Sequence, residues 1–394
     1  MKAMVSIFAL PFLAAVMLSC GSSSDDNTPV TPDPVEPTTD VSSTTGITSF
    51  SEQNIFSRNV MLPANYAMQG FSLDSDGSIW YTQSTTSQEQ INWVKASPNK
   101  STDVQNPGSD YMQLKYFGHG TNTGVEEVGS DRYLWIGAFA SYNSGANGST
   151  KGYWTEKVIG RVKYVKGKTV STNECESYYY IGDYTDMHPS IDADNDILTI
   201  NYADKSNSNY RCFVMYKLSE AKKASLSTIS ITCTDGFSSG DATSTAQTTL
   251  NVPCHDLTKL EPIARMKFLK SGYGKTGDTY YSWQGYDVYK NRLYYMDGTY
   301  EKNASDVYYS SYAYMTVFDF KGNIIEERTP VSIISNRSQL TSIGVTPYFG
   351  AMESEGVKVY KGKLYLAFTG RGATNSATDV GYYQNIFVYN PTSK

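Results

Sequence analysis

Short stretches of alternating apolar and polar residues, each closed by a polar turn, run through the chain from Ile55 onward. A period of two puts one face of each stretch into a core and predicts β-strands rather than helices. Five segments repeat one scheme. They begin at Met68 (MQGFSLDSDGSIWYTQ), Asn122 (NTGVEEVGSDRYLWIG), Met187 (MHPSIDADNDILTINY), Trp283 (WQGYDVYKNRLYYMDG) and Ser354 (SEGVKVYKGKLYLAFT). Each carries a small residue (Gly70, Gly124, Pro189, Gly285, Gly356), an alternating strand, a polar turn and a second strand rich in aromatic and branched residues. The turns Asp76-Gly77, Ser130-Asp131, Asp194-Asn195, Lys290-Asn291 and Lys361-Gly362 have hairpin chemistry.

Further strands follow each hairpin. INWVKAS and YMQLKYF complete the first unit, EKVIGRVKYV and SYYYIGD the second, YRCFVMYKL and ARMKFLK the third, YMTVFDF and NIIEERT the fourth. A long polar insertion near 220–260 divides the last two strands of the third unit. The fifth unit has only QNIFVYN before the chain ends, and IFSRNVML at Ile55 supplies the missing strand from the other end. Four strands per unit, repeated radially, make a β-propeller, and closing the ring removes open sheet edges. The expected fold is all-β, a five-bladed β-propeller of four-stranded blades whose last blade is closed by the N-terminal strand. Two β-sandwiches are the alternative, and they do not account for the divided fifth unit.

The stretches QGF, DGSIW, GHGT, HPSID, QGYDVY and EGVKVYKGKLY, in this order, resemble the propeller shared by phage receptor-binding proteins and teichoic acid biosynthesis protein C. The resemblance implies a five-bladed fold over most of residues 50–392 and, from the phage members, binding of a cell-wall glycopolymer. Residues 1–19 depart from it. Lys2 and the apolar run Ala3–Leu18 read as a signal peptide too short to span a bilayer. Ser19-Cys20-Gly21 resembles a lipobox, which implies a lipidated (palmitate-bearing) Cys20. Residues 20–45 hold no aromatic and no Lys or Arg, and form a Ser/Thr/Pro/Asp tether; residues 46–394 form the propeller. The early Ser-Ser-Asp-Asp resembles the export signal of surface-exposed lipoproteins. These features predict a cell outer membrane location, through the lipid anchor alone and with no membrane span.

Composition narrows the partners. A net charge of −6 with no basic block argues against nucleic acid. The 33 tyrosines suit strands and polar recognition surfaces. Beyond Cys20, the four cysteines Cys175, Cys212, Cys233 and Cys254 permit two disulfides in three connectivities; Cys233 with Cys254 is the preferred pair.

The entry loops before the inner strands surround one mouth of the channel. Gln69, Thr123, His188, Gln284 and Glu355 precede the small column there, and His119 lies in the glycine-rich entry GHGTNTGVEE. Gln69, His119, His188, Gln284 and Glu355 are the expected ligand-binding residues; bracing of the blades is the competing role. A glycosidase needs two carboxylates, for which Glu126, Asp186, Asp287 and Glu355 are candidates that sequence does not pair. Loop tyrosines Tyr142, Tyr153, Tyr308 and Tyr309 suit stacking on sugars. SGYGKTGD lacks a P-loop's first glycine and following helix, and DADND lacks a calcium loop's glycine and glutamate, so it reads as a hairpin turn. No cofactor is implied, although a structural channel ion is compatible with the fold. The expected function is non-catalytic recognition of a glycan or glycopolymer. The alternatives are a glycan hydrolase or lyase at the channel mouth, and a structural subunit docking an outer-membrane protein.

Overall fold

The computed structural model describes residues 51–85, 89–146, 151–302, 308–331, 334, 337–345, 351–371 and 381–389. The expected signal peptide, Cys20 and the expected tether lie outside the described residues. Strand β1 (Ile55–Met61) precedes the first blade, which holds β2 (Met68–Leu73), β3 (Ile79–Ser84), β4 (Gln90–Ala96) and β5 (Tyr111–Lys115). The second contributes β6 (Gly124–Val128), β7 (Asp131–Ala138), a small hairpin β8 (Ser141–Asn143) and β9 (Gly152–Trp154), then β10 (Val158–Lys163), β11 (Thr169–Ser171) and β12 (Ser177–Tyr180). The third contributes β13 (Thr185–Asp192), β14 (Ile197–Ala203), β15 (Tyr210–Lys217), β16 (Leu226–Thr234), β17 (Gln247–Asp256) and β18 (Ala264–Leu269). The fourth is β19 (Ser282–Tyr289), β20 (Arg292–Lys302), β21 (Tyr308–Asp319) and β22 (Ile324–Pro330), and the fifth β23 (Ala351–Tyr360), β24 (Lys363–Arg371) and β25 (Tyr382–Tyr389).

The inner strands β2, β6, β13, β19 and β23 adjoin one another in that order, and β23 returns to β2. β1 is the outermost strand of the fifth blade and runs antiparallel to β25, with Ile55 opposite Phe387 and Met61 opposite Tyr383. The chain is therefore a closed five-bladed β-propeller whose last sheet joins both ends of the fold. Buried polar groups fix the join. The Asn59 amide donates to Asn385 Oδ1 at 3.0 Å, and the Met68 amide to Gln384 Oε1 at 3.2 Å.

Five apolar clusters fill the five gaps between neighbouring blades. Leu134 and Ile136 of β7 pack with Trp80 and Trp93 of blade one, while Trp135 between them packs with Leu198 and Val214 of blade three. Phe213 and Met215 meet Tyr286 and Tyr295 between blades three and four; Tyr294 and Met296 meet Leu364 and Leu366 between four and five; Tyr365 and Ala367 meet Phe71 and Tyr81 between five and one. Both faces of a blade are thus buried. This is why the second strands read as continuous aromatic and branched runs rather than strict alternation. Each large side chain so buried contributes roughly 1.5–3 kcal/mol.

The long insertion does something the sequence did not reveal. Its strands β16 and β17 form a hairpin that leaves blade three and joins blade two, β17 running parallel to β12. β11 joins β5 of blade one in the same way. On the fifth blade, the amides of Arg58 and Met61 donate to Asn99 and Gln105 of blade one. In three blades, then, the outer edge is covered by the connection between the last two strands of the next blade. The expected Cys233–Cys254 disulfide is absent. In the β16–β17 ladder Cys233 faces Thr248 and Cys254 faces Ser227, too far along the strands to bridge, and both thiols are buried in the core between blades one and two. Cys175 and Cys212 are also free.

Candidate functional site

The antiparallel meander sends the entry loops and the loops between second and third strands to one end of the ring, the entry side. The first hairpin turns lie at the other, the turn side. Between them the axis is crowded. A Cβ on Gly285 (φ 135°) would lie 3.2 Å from the Gly356 Cα, and one on Gly124 would lie 2.8 Å from Ile191. Asn122 spans the axis, donating to the Pro189 carbonyl at 3.0 Å and accepting from the Tyr286 amide at 2.9 Å. The small column of the repeat is therefore a packing requirement.

On the turn side, Asp287 is fully engaged. Its carboxylate accepts from the Val359 amide at 2.7 Å, from Lys358 Nζ at 3.3 Å and from the Ser190 hydroxyl, and Lys358 also donates to the Thr123 carbonyl at 2.9 Å. Beneath them opens a cavity of about 320 Å³, lined among others by Ser72, Asp192, Tyr289 and Tyr360. DADND forms the turn between β13 and β14, with Asp192 accepting from the Asn195 amide at 3.2 Å. Glu126 is also committed: it accepts from Trp135 Nε1 at 2.9 Å, Arg161 Nε at 2.8 Å and Lys222. Burial opposes its ionisation, but Lys222, Arg161 and Trp135 outweigh burial and hold it below the usual carboxylate range. Both sequence candidates are structural.

The entry side keeps the other two carboxylates, Asp186 and Glu355. Gln69, Gln284 and Glu355 each sit at a register shift just before the small residue of their strand. In blade three the shift falls between Thr185 and His188, so Asp186 and Met187 occupy it rather than His188. Glu355 is 6% exposed and its Oε1 has no hydrogen-bond partner. Burial and the neighbouring Glu353 push its carboxyl well above the usual range, against the pull of Arg371 and Thr369. Glu353 is paired with Arg371, whose guanidinium lies 4.9 Å from the Tyr300 ring and 5.1 Å from the Tyr382 ring. Asp186 (φ 53°) accepts from the Thr155 amide at 3.1 Å, and burial raises its carboxyl.

Blades two and three add a second buried acid. Glu156 is 2% exposed, and burial together with the Asp186 charge pushes it up to about 8. Gly118 (φ 82°) and Gly137 leave the room it fills, since a Cβ at either would collide with its side chain. Gly118 of the entry loop and Gly137 of β7 thus mark a buried acid, and they are the trace of Glu156 in the sequence. His119 stacks on Trp154 at 4.4 Å, and burial lowers it to about 4; His188 bonds the Thr121 carbonyl through Nδ1 at 3.0 Å and falls to about 3 for the same reason, reinforced by Arg211. Both imidazoles are neutral at pH 7. Gln284 donates weakly to the Gly298 carbonyl at 3.4 Å. Trp283 lies 4.8 Å from His188, and Trp154 and Trp283 each keep a buried indole N–H without a partner. Among the loop tyrosines, Tyr153 is core, its hydroxyl donating to the Ala242 carbonyl at 2.6 Å, and Tyr142 packs beside it. The side chains of Tyr308 and Tyr309 lie outside the described residues. Among the described residues no group of three or more His, Cys, Asp or Glu is arranged to hold a metal.

No family model and no curated protein sequence matches the chain. Solved structures do. An α-L-arabinofuranosidase from Lactobacillus brevis aligns at 10% identity with a TM-score of 0.43, over 86% of this chain and 94% of that one. The Bombyx mori β-fructofuranosidase of family 32 aligns at 10% identity and TM-score 0.37, over 85% and 64% of the two chains. A family 43 β-1,3-galactosidase aligns at 7% identity and TM-score 0.36, over 82% and 90%. At these identities the likeness is one of fold. These three neighbours are named as glycan-cleaving enzymes, which runs against the expected non-catalytic recognition.

Proposed function

We propose that the protein is a glycoside hydrolase acting at the entry-side mouth, with Glu355 as proton donor and Asp186 as the second carboxylate. The observation that carries this is the state of Glu355: a buried acid at the mouth whose carboxyl is pushed well above the usual range by burial and by Glu353, with Oε1 unpartnered among the described residues. Cleavage of a glycosidic bond requires a proton on the departing oxygen, and a raised carboxyl supplies it. Asp186 reaches the same mouth from blade three, with blade four between it and Glu355 on one side. Its carboxylate suits the positive charge that develops at the anomeric carbon and the proton released by the attacking water. Trp154 and Trp283, both half-buried, add aromatic surface of the kind a sugar ring packs against.

The test is release of reducing ends from a panel of polysaccharides, followed by product analysis. Glu355→Gln and Asp186→Asn are expected to abolish release while the fold persists. Undiminished release by Glu355→Gln would remove the reading. We further propose, from residues 1–45, that the enzyme is tethered at the outer-membrane surface through Cys20. Metabolic labelling with a palmitate analogue should mark the protein and fail to mark Cys20→Ala; equal labelling of both would exclude that anchor.

A further inference from the structure

The chain carries a net charge of −6, yet one sector of the entry-side mouth runs the other way. Arg211 is the second residue of β15, opposite Phe268 of β18 in the ladder. Lys270 follows two residues beyond Phe268, and its amide donates to the Asn209 carbonyl at 2.9 Å. Alternation puts Lys270 on the same sheet face as Phe268 and Arg211. From blade two, the segment holding Lys157 is tied to this sector, because the Thr155 amide donates to Asp186.

Among the described residues none of these three cations has an ion pair. Arg211 lies 4.7 Å from the Trp283 ring, makes one long hydrogen bond to Asn201 at 3.4 Å, and keeps a buried Nε without any partner. Among the described residues Asp186 is the acid that faces all three, and its carboxylate is bonded to a backbone amide rather than to a cation. The crowding is felt by the lysines: burial lowers both, and Lys205 beside Lys157 and Arg211 beside Lys270 lower them further. Cations brought together without partners, one of them with an unfilled buried donor, form an arrangement that a bound anion would relieve.

We propose that Arg211, Lys157 and Lys270 form an anion subsite beside the catalytic mouth, so that the glycan cleaved there bears carboxylate or sulfate groups. The subsite names the substrate class of the hydrolase reading and rests on it. An arginine fork is suited to either group, because both present two oxygens in one plane. The acidic surface elsewhere repels such a polymer, so its capture depends on this sector and weakens with salt.

Binding of the full chain to polygalacturonate, to chondroitin sulfate and to neutral dextran, followed by affinity electrophoresis at low and high salt, tests the subsite without requiring turnover. Either acidic polymer should be retained and dextran should not; the two acidic arms distinguish carboxylate from sulfate. Arg211→Met should weaken acidic binding about ten- to a hundredfold. Lys270→Met, at an exposed position that leaves the core untouched, should weaken it about two- to fivefold and so answers for Arg211→Met if that variant folds poorly. Acidic binding without cleavage of any glycan removes the hydrolase reading and leaves the subsite standing. Equal retention of dextran and acidic polymers, or acidic binding unchanged in both variants, overturns the subsite, whether or not neutral glycans are cleaved.

Discussion

At the turn side, Asp287 accepts from Lys358, from Ser190 and from the Val359 amide. At the entry side, Glu355 and Glu156 are buried as deeply but have no ion pair, and both are held above the usual carboxylate range, chiefly by burial. The two ends belong to the same ring of strands, and the acids at both are almost inaccessible to water. Partners make the difference. A cation and an amide let a buried carboxylate lock blades together; without the cation, burial dominates and the carboxyl is raised. A buried acid that is fully satisfied is structural, and one that is unsatisfied at an opening is a candidate for catalysis.

Substitutions that remove one acid at each end break this comparison directly. The largest effect is expected at Glu355: Glu355→Gln should cut turnover about 10²- to 10⁴-fold, measured as reducing-end release, with an unfolding midpoint that holds or rises. Asp287→Ala should behave in the opposite way. It strands the Lys358 ammonium in the core and should cost about 3–5 kcal/mol in denaturant unfolding, with turnover per folded molecule retained. Loss of turnover at unchanged stability in Asp287→Ala would erase the distinction between the two ends.

A smaller effect comes from pH. Burial and the Asp186 charge push the Glu156 carboxyl up to about 8, against an ordinary value of 4.5, so the native state binds more protons than the unfolded one between those limits. Its stabilising contribution is complete below the lower value and is lost as pH rises through the upper. The neutral histidines act in the other direction, but only below about 6.5. From there to pH 8 the unfolding free energy should fall by about 1.4 kcal/mol per unit on account of Glu156, and Glu156→Gln should flatten that slope. An unchanged slope would mean that Glu156 is ionised in the native protein.

The candidate site was half legible. The repeat columns point to Glu355, and Asp186 is one of the four candidate acids in the sequence; both lie at the entry side. The same columns offered Glu126 and Asp287, which the fold commits to Arg161, Lys222 and Lys358 from distant positions. Arg211, Glu353 and Arg371 lie outside the alignment of the repeats, and Glu156 lies in a polar loop. Nothing local distinguishes them, because their importance comes from what another blade brings against them.

The sequence alone determined the strand order, the five repeats and the joining of the chain's ends, because the period-two pattern, the hairpin turns and the crowded small column are local requirements that any correct fold must meet. Tertiary structure alone decided that the insertion of blade three widens blade two, that Cys175, Cys212, Cys233 and Cys254 stay free, and which acids are raised. Each of these is a matter of who meets whom across a blade interface, and burial and charge act through space rather than along the chain.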